Sequence, residues 1–183
     1  THFGKDILTV ENALCDLNDK GYSVPSNDKL YNRKLGKYAK FMRQDISWMP
    51  DKIKRINRQP DIKNHNLRNH SELIITRFRL YQYLQNEGLS PKILNLPAQL
   101  DGSEADKNKE ICKHIEDCEL PAISPDGETL ASSLSGLAKL IIELQTKKHS
   151  QRPLKWNKPS PTIVSLPEDF VHPFVPRTMT VRE

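Results

Sequence analysis

The sequence predicts an α+β fold, with a mainly helical part over residues 1–150 and a small β element within residues 151–183. Two observations lead to this prediction. Before residue 150, apolar residues recur at helical spacing in several segments. After it, six prolines from Pro153 to Pro176 exclude long helices, and β-branched residues favour short strands. At 183 residues the chain is long enough for one domain with a hydrophobic core.

The N-terminal part contains two predicted helices. The first spans Asp6–Leu17, where Ile, Val and Leu follow the helical period and Thr9 is placed to cap the N-terminus. The second spans Lys29–Gln44, with apolar residues on one side and cations elsewhere. We expect residues 50–70, rich in Lys, Arg and Asn, to be irregular or to form a short helix.

The strongest helical period covers Ser71–Glu87, with Ser71 as the N-cap and Gly88 as a stop signal. Two more helices are predicted at Asp106–Asp117, whose large apolar residues are Ile111 and Ile115, and at Ser132–Lys148. Proline-containing segments between these helices are predicted to be loop or turn: Ser90–Gly102 and Leu120–Glu128.

The C-terminal part contains two predicted strands, Thr162–Leu166 and Phe170–Val171, because β-branched and aromatic residues cluster there between prolines. No apolar run in the sequence approaches the ~18–20 residues that a membrane span needs.

The charge is mildly basic overall and unevenly distributed. The formal net charge is +5. Residues 29–70 hold 12 Lys/Arg and 3 Asp/Glu, whereas residues 101–128 hold 9 Asp/Glu and 3 Lys/Arg. Residues 147–158 hold five basic residues and no acid. The two basic zones are consistent with a surface that faces phosphates, or with an ordinary solvated surface with local charge bias.

Three cysteines, Cys15, Cys112 and Cys118, form no C-x-x-C pair, which argues against a zinc ribbon. Because no disulfide framework is evident, we expect a reducing compartment. We expect no metal site in this chain.

The C-terminal residues carry a resemblance to a known family. Residues 172–183 read HPFVPRTMTVRE, similar to the ninth conserved motif of bacterial DNA cytosine-5 methyltransferases, an HP stretch followed by R-x-L-T-V-R-E. Residues 158–165, KPSPTIVS, resemble that family's P-x-P-T-I-T/V-S element. Two weaker similarities precede them in the family's order, in residues 64–92 and residues 8–17.

The resemblance implies that residues 1–183 are the target recognition part of such an enzyme, which grips duplex DNA while a catalytic domain turns out a cytosine. It implies that Thr162 and Ile163 contact the DNA backbone. It also implies that Arg177, Arg182 and Glu183 organise the recognition part against the catalytic domain, a role that suits the guanidinium fork of arginine.

Other residues are candidates for DNA contact from their type and position. Each of the lysines and arginines that lead into the Thr162 loop is either a phosphate contact or a plain surface cation: Lys147, Lys148, Arg152, Lys155 and Lys158. Trp156 either covers a core or wedges against a sugar. A further cluster organises the next helix, contacts DNA or, as the weakest of the three alternatives, binds metal: Asn64, His65, Arg68 and His70.

The catalytic motifs of the family are missing from this sequence. No cysteine follows a proline, and there is no F-x-G-x-G or Glu-Asn-Val motif. We therefore expect no cofactor in this chain, with S-adenosylmethionine bound by a catalytic domain of the same or a companion polypeptide, in the bacterial cytoplasm near the nucleoid. The alternatives are a non-enzymatic helical scaffold for protein interaction, and a small DNA-binding subunit of a split methyltransferase.

Overall fold

The structure, a computed structural model, describes residues 7–14, 68–147, 151–161 and 169–179. In these ranges it contains four α-helices: α1 (Val10–Leu14), α2 (Glu72–Asn86), α3 (Glu104–His114) and α4 (Leu134–Glu143). It also contains a 3-10 helix, Pro91–Ala98. Four short strands are described: β1 (Ala122–Ile123), β2 (Thr129–Ala131), β3 (Arg152–Pro153) and β4 (Phe170–Val171). The predicted α+β class, mostly helix with a small C-terminal β element, is confirmed. The predicted helix Lys29–Gln44 and strand Thr162–Leu166 lie outside the described residues.

Helix α2 lies at the centre of the fold and matches its prediction within one residue at each end. Gly88 follows it with a φ of +78°, the left-handed conformation that glycine adopts at little cost. Ser71 precedes it with extended backbone, but its side chain makes no capping hydrogen bond. Consecutive residues from Leu80 to Leu84 are buried, so α2 is covered on several sides.

Helix α3 begins at Glu104, two residues before the predicted start, because Ser103 and Asp106 form a reciprocal capping box. The helix ends at His114, and Ile111 and Ile115 are buried against the core as their spacing indicates.

Two segments predicted to lack regular structure are partly regular, so those predictions were wrong. The 3-10 helix occupies most of Ser90–Gly102, and Ser90 caps it by accepting a hydrogen bond from the Lys92 N–H. Strands β1 and β2 pair antiparallel around Gly127, whose φ is +89°. The 3-10 helix and the hairpin both contain or adjoin proline, which in the sequence indicates a loop or turn.

Helix α4 ends at Glu143, five residues before the predicted Lys148. The Arg77 guanidinium Nε donates to the Leu144 carbonyl oxygen at 3.0 Å, and the Thr146 N–H donates to the Leu94 carbonyl oxygen at 3.2 Å. These tertiary bonds replace the next helical turn. Strand β3, which was not predicted, exists because it pairs in parallel with β4.

The described apolar side chains form two cores. The larger core lies between α2, α3, α4, the 3-10 helix and the β1–β2 hairpin. The smaller core contains buried residues from α1, β3's flank, β4 and the C-terminal tail: Val10, Leu14, Leu154, Phe170 and Met179. Strand β4 joins them, because Phe170 belongs to the smaller core and Val171 to the larger one. Among the described helices, none has the length and apolar character needed to cross a bilayer.

Candidate nucleic-acid interface

Three cations extend from one short segment that follows the helical part. The side chains of Arg152, Lys155 and Lys158 are exposed, and we call them the basic strip. Between them Pro153 and Leu154 are buried. The segment is therefore fixed to the protein by its apolar side chains and directs its cations to solvent.

The backbone of the basic strip is held from α2 and β4. The Leu154 N–H donates to the Val171 carbonyl oxygen at 3.0 Å, a bond of the parallel pairing between β3 and β4. The side-chain amide of Gln85, in the last turns of α2, donates to the Leu154 carbonyl oxygen at 3.2 Å.

The second half of the basic strip is held from α1. The N–H groups of Val10 and Glu11, at the N-terminus of α1, donate to the carbonyl oxygens of Lys158 and Trp156, each at 2.9 Å. The Lys158 N–H donates to the Lys155 carbonyl oxygen at 3.1 Å, which closes a turn between them. Because the first N–H groups of a helix have no partner inside the helix, this contact satisfies α1 and orders the strip.

Two aromatic contacts lie beneath the strip. Trp156 is half-buried, packs on the smaller core and meets Phe174 edge-on with ring centroids 5.1 Å apart. In this structure Trp156 therefore covers a core, the first of its two predicted uses. The Arg152 guanidinium lies over the Phe170 ring, 5.8 Å from its centroid.

Arg177, predicted to organise domains, lies inside the chain with only 1% of its surface exposed. Its guanidinium Nη1 donates to the Thr178 carbonyl oxygen at 3.0 Å. Its own carbonyl oxygen accepts from the His172 N–H at 2.9 Å, which closes the loop 172–177, and Val171 and Thr178 form a bridge beyond it. The tail thus folds back on itself, and Arg177 is buried within it. Its predicted role in organising the recognition part against a catalytic domain stays a prediction.

The residue that holds this loop was not predicted. The side-chain amide of Gln82, 1% exposed, donates to the carbonyl oxygens of His172 and Val175 at 2.7 and 2.9 Å. Gln82 follows Phe78 by four residues, so it occupies the apolar face of α2. A polar residue in that position is the signal that could have identified it.

The remaining predicted residues are distributed as follows. Arg68 and Lys147 are exposed, while His70 packs edge-on against Phe78 and lies 3.5 Å from the Thr178 amide nitrogen. Within the ranges that the structure describes, no three metal-ligating side chains form a group. Several predicted residues lie outside those ranges: Asn64, His65, Lys148, Thr162, Ile163, Arg182 and Glu183.

The chemistry of the basic strip suits phosphate better than base edges. Its lysines are point charges on flexible stems, which attract phosphate oxygens without reading sequence. Comparison with known proteins finds no matching family model, no matching curated protein and no matching solved structure.

Proposed function

We propose that this chain is the DNA-binding target recognition part of a DNA cytosine-5 methyltransferase. The observation that carries the proposal is the basic strip, three exposed cations on a backbone that is fixed by α1, α2 and β4. A fixed backbone lowers the ordering cost of binding. Each phosphate that a cation neutralises releases counterions, which favours association with duplex DNA.

The position of the strip in the chain supports the same proposal. The strip leads directly through Ser160 and Pro161 to Thr162 and Ile163, the residues that the family resemblance assigns to the DNA backbone. Phosphate contacts beside that loop fix the register of the duplex, and side chains elsewhere read base edges.

The methyl transfer itself is proposed to belong to a catalytic domain of the same or a companion polypeptide. That domain binds S-adenosylmethionine and holds the flipped cytosine, in the bacterial cytoplasm near the nucleoid. The burial of Arg177 supports an architectural role for the C-terminal motif. By the resemblance, Arg182 and Glu183 continue that role toward the catalytic domain.

The DNA proposal is tested by fluorescence anisotropy of a labelled duplex at several salt concentrations. We expect weak binding with little sequence preference, because residues 1–183 are proposed to contact the duplex from one side, without the catalytic domain. The double variant Lys155→Gln/Lys158→Gln should bind more weakly. Its plot of log affinity against log salt should be less steep, by roughly 0.9 for each phosphate that is no longer neutralised. Lys139→Gln, an exposed lysine of α4, is the matched control and should leave both quantities unchanged.

Two outcomes would count against the proposal. If Lys139→Gln reduced the salt dependence of duplex binding as much as the double variant does, the binding would depend on total charge and not on the basic strip. No duplex binding at low salt would favour the non-enzymatic scaffold. The methyltransferase part is tested separately in the complete enzyme, where Thr162→Ala should lower the methylation rate while the melting temperature stays unchanged.

A further inference from the structure

Two aliphatic side chains of the β1 region are exposed to solvent. Leu120 is 39% exposed and Ile123 is 49% exposed, with the exposed Pro121 between them. Their neighbours Ala122 and Ser124 are buried. The pairing of β1 with β2 is irregular between Ala122 and Ile123, and there the side chain of Ala122 is buried while that of Ile123 faces solvent.

The backbone at both ends of this segment is held in place. The Tyr83 hydroxyl donates to the Glu119 carbonyl oxygen at 2.6 Å, and the Glu119 N–H donates to the Glu87 carboxylate at 2.8 Å. At the other end, the Ser124 N–H donates to the Glu128 carbonyl oxygen at 2.9 Å. The apolar edge is thus preorganised and cannot collapse onto the core.

The charged residues of the chain segment that carries this edge are all acidic. Residues 115–138 contain five acidic residues and no lysine or arginine. Asp126 is paired with Arg79 at 2.8 Å. The other four are exposed and form no ion pair with any described residue: Glu116, Asp117, Glu119 and Glu128.

We propose that this acidic hairpin surface, Leu120 and Ile123 with the four exposed carboxylates, docks a cationic amphipathic polypeptide segment. The carboxylates repel nucleic acid and anionic lipid, which excludes both as occupants. The aliphatic pair requires a partner with apolar side chains of its own, and lysine or arginine around them completes the charge match. The surface is separate from the basic strip and does not depend on the proposed DNA function.

The probe is a fluorescein-labelled synthetic peptide of lysine and leucine, arranged to form an amphipathic helix, and its anisotropy is measured with the full chain. We expect saturable binding that Leu120→Ser/Ile123→Ser weakens about tenfold, the scale of burying two aliphatic side chains. Glu119→Gln/Glu128→Gln should weaken binding severalfold and reduce its salt dependence. A second peptide, with every leucine replaced by serine, should bind much more weakly.

Matched controls are Leu73→Ser, an exposed leucine of α2's first turn, and Glu104→Gln at the far end of α3. Both should bind the peptide like the unaltered chain. Equal binding of the serine peptide, or equal weakening in the control variants, overturns the proposal. So does sedimentation that shows the free chain self-associating through Leu120 and Ile123, because a second copy would then be the occupant.

Discussion

The ring of His172 determines the course of the loop that follows it. Its Nδ1 accepts hydrogen bonds from the N–H groups of Phe174 and Val175, at 3.2 and 3.1 Å, and the residue is 1% exposed. Since Nδ1 accepts, the ring proton is on Nε2. Protonation of Nδ1 would break both bonds, so the loop requires a neutral ring.

We predict that His172→Asn destabilises the protein less than His172→Gln. The Asn side-chain oxygen reaches the position of Nδ1, whereas the Gln oxygen reaches that of Nε2 and leaves two N–H groups without an acceptor. Each buried orphan costs about 1–3 kcal/mol. Both variants lose the ring, so the difference between their free energies of unfolding in urea isolates the acceptor. Equal destabilisation by the two variants would contradict this assignment.

The capping box of α3 gives a prediction about pH. Hydrogen bonds from the Ser103 hydroxyl and backbone N–H, at 2.6 and 3.0 Å, lower the pKa of Asp106 below the ordinary aspartate range. Because the folded pKa is depressed, the carboxylate stabilises the fold above the unfolded pKa. That contribution is lost as pH falls through the folded value.

We expect Ser103→Ala to raise the pKa of Asp106 toward its ordinary value, to lower the free energy of unfolding at neutral pH, and to make the loss of stability in acid shallower. Carboxyl chemical shifts in an NMR pH titration measure the first effect, and urea unfolding at several pH values measures the other two. Ser132→Ala, an exposed serine before α4, is the control. An unmoved Asp106 titration in Ser103→Ala would rule the mechanism out.

At the scale of elements, α2 connects the other segments through polar side chains that reach backbone groups. Arg77 contacts the end of α4, and Tyr83 contacts the segment that precedes the hairpin. Gln82 contacts the C-terminal loop, and Gln85 contacts the basic strip. These bonds pair polar groups that the burial of α2 removes from water, although the Tyr81 hydroxyl and the Gln82 Oε1 on the same helix are buried without a hydrogen-bond partner. The position of the basic strip therefore depends on the integrity of α2.

Gln82 is the point where α2 can be tested most sharply. Gln82→Glu replaces the donor amide by a carboxylate that faces the two carbonyl oxygens of His172 and Val175. Burial raises the pKa of such a carboxyl above its value in the unfolded chain. The free energy of unfolding is therefore lowered at pH values above the unfolded pKa, and this loss decreases as pH falls through the folded pKa. We expect Gln82→Glu to be less stable than Gln82→Leu at neutral pH. The difference between their free energies of unfolding should become smaller in acidic buffer. A pH-independent gap in urea unfolding would contradict this expectation.

The sequence predicts elements well where local signals agree and poorly where tertiary bonds decide. Helix α2 has a long apolar period and a glycine stop, so its limits were predicted within one residue. The end of α4 was not, because Arg77 and Leu94 are distant in sequence and draw the chain away. The described strands are two or three residues long, and of these four only β4, Phe170–Val171, was predicted.

The candidate interface follows the same rule. The run of cations at residues 147–158 is visible in the sequence, and the structure exposes Arg152, Lys155 and Lys158. What no local pattern shows is how they are held, since the partners of that segment are Gln85, Val171 and the start of α1. Whether the strip binds DNA stays a prediction.

At the scale of the whole molecule, β4 couples two cores that its neighbouring residues help to build. Phe170 packs in the smaller core beneath the basic strip, and Val171 packs against the helices of the larger core. A two-residue strand cannot change conformation on one side only, because adjacent side chains point to opposite faces. We therefore expect the two cores to unfold together.

In a Trp48→Phe background, Trp156 is the single tryptophan and reports the smaller core, while far-UV circular dichroism reports the helices. Both signals should give one urea midpoint, as two-state unfolding requires. Ile141→Val, fully buried in the larger core, should lower stability by about 0.5–1.5 kcal/mol and move both midpoints equally. If the fluorescence transition stays in place while the helical transition moves, the cores are independent.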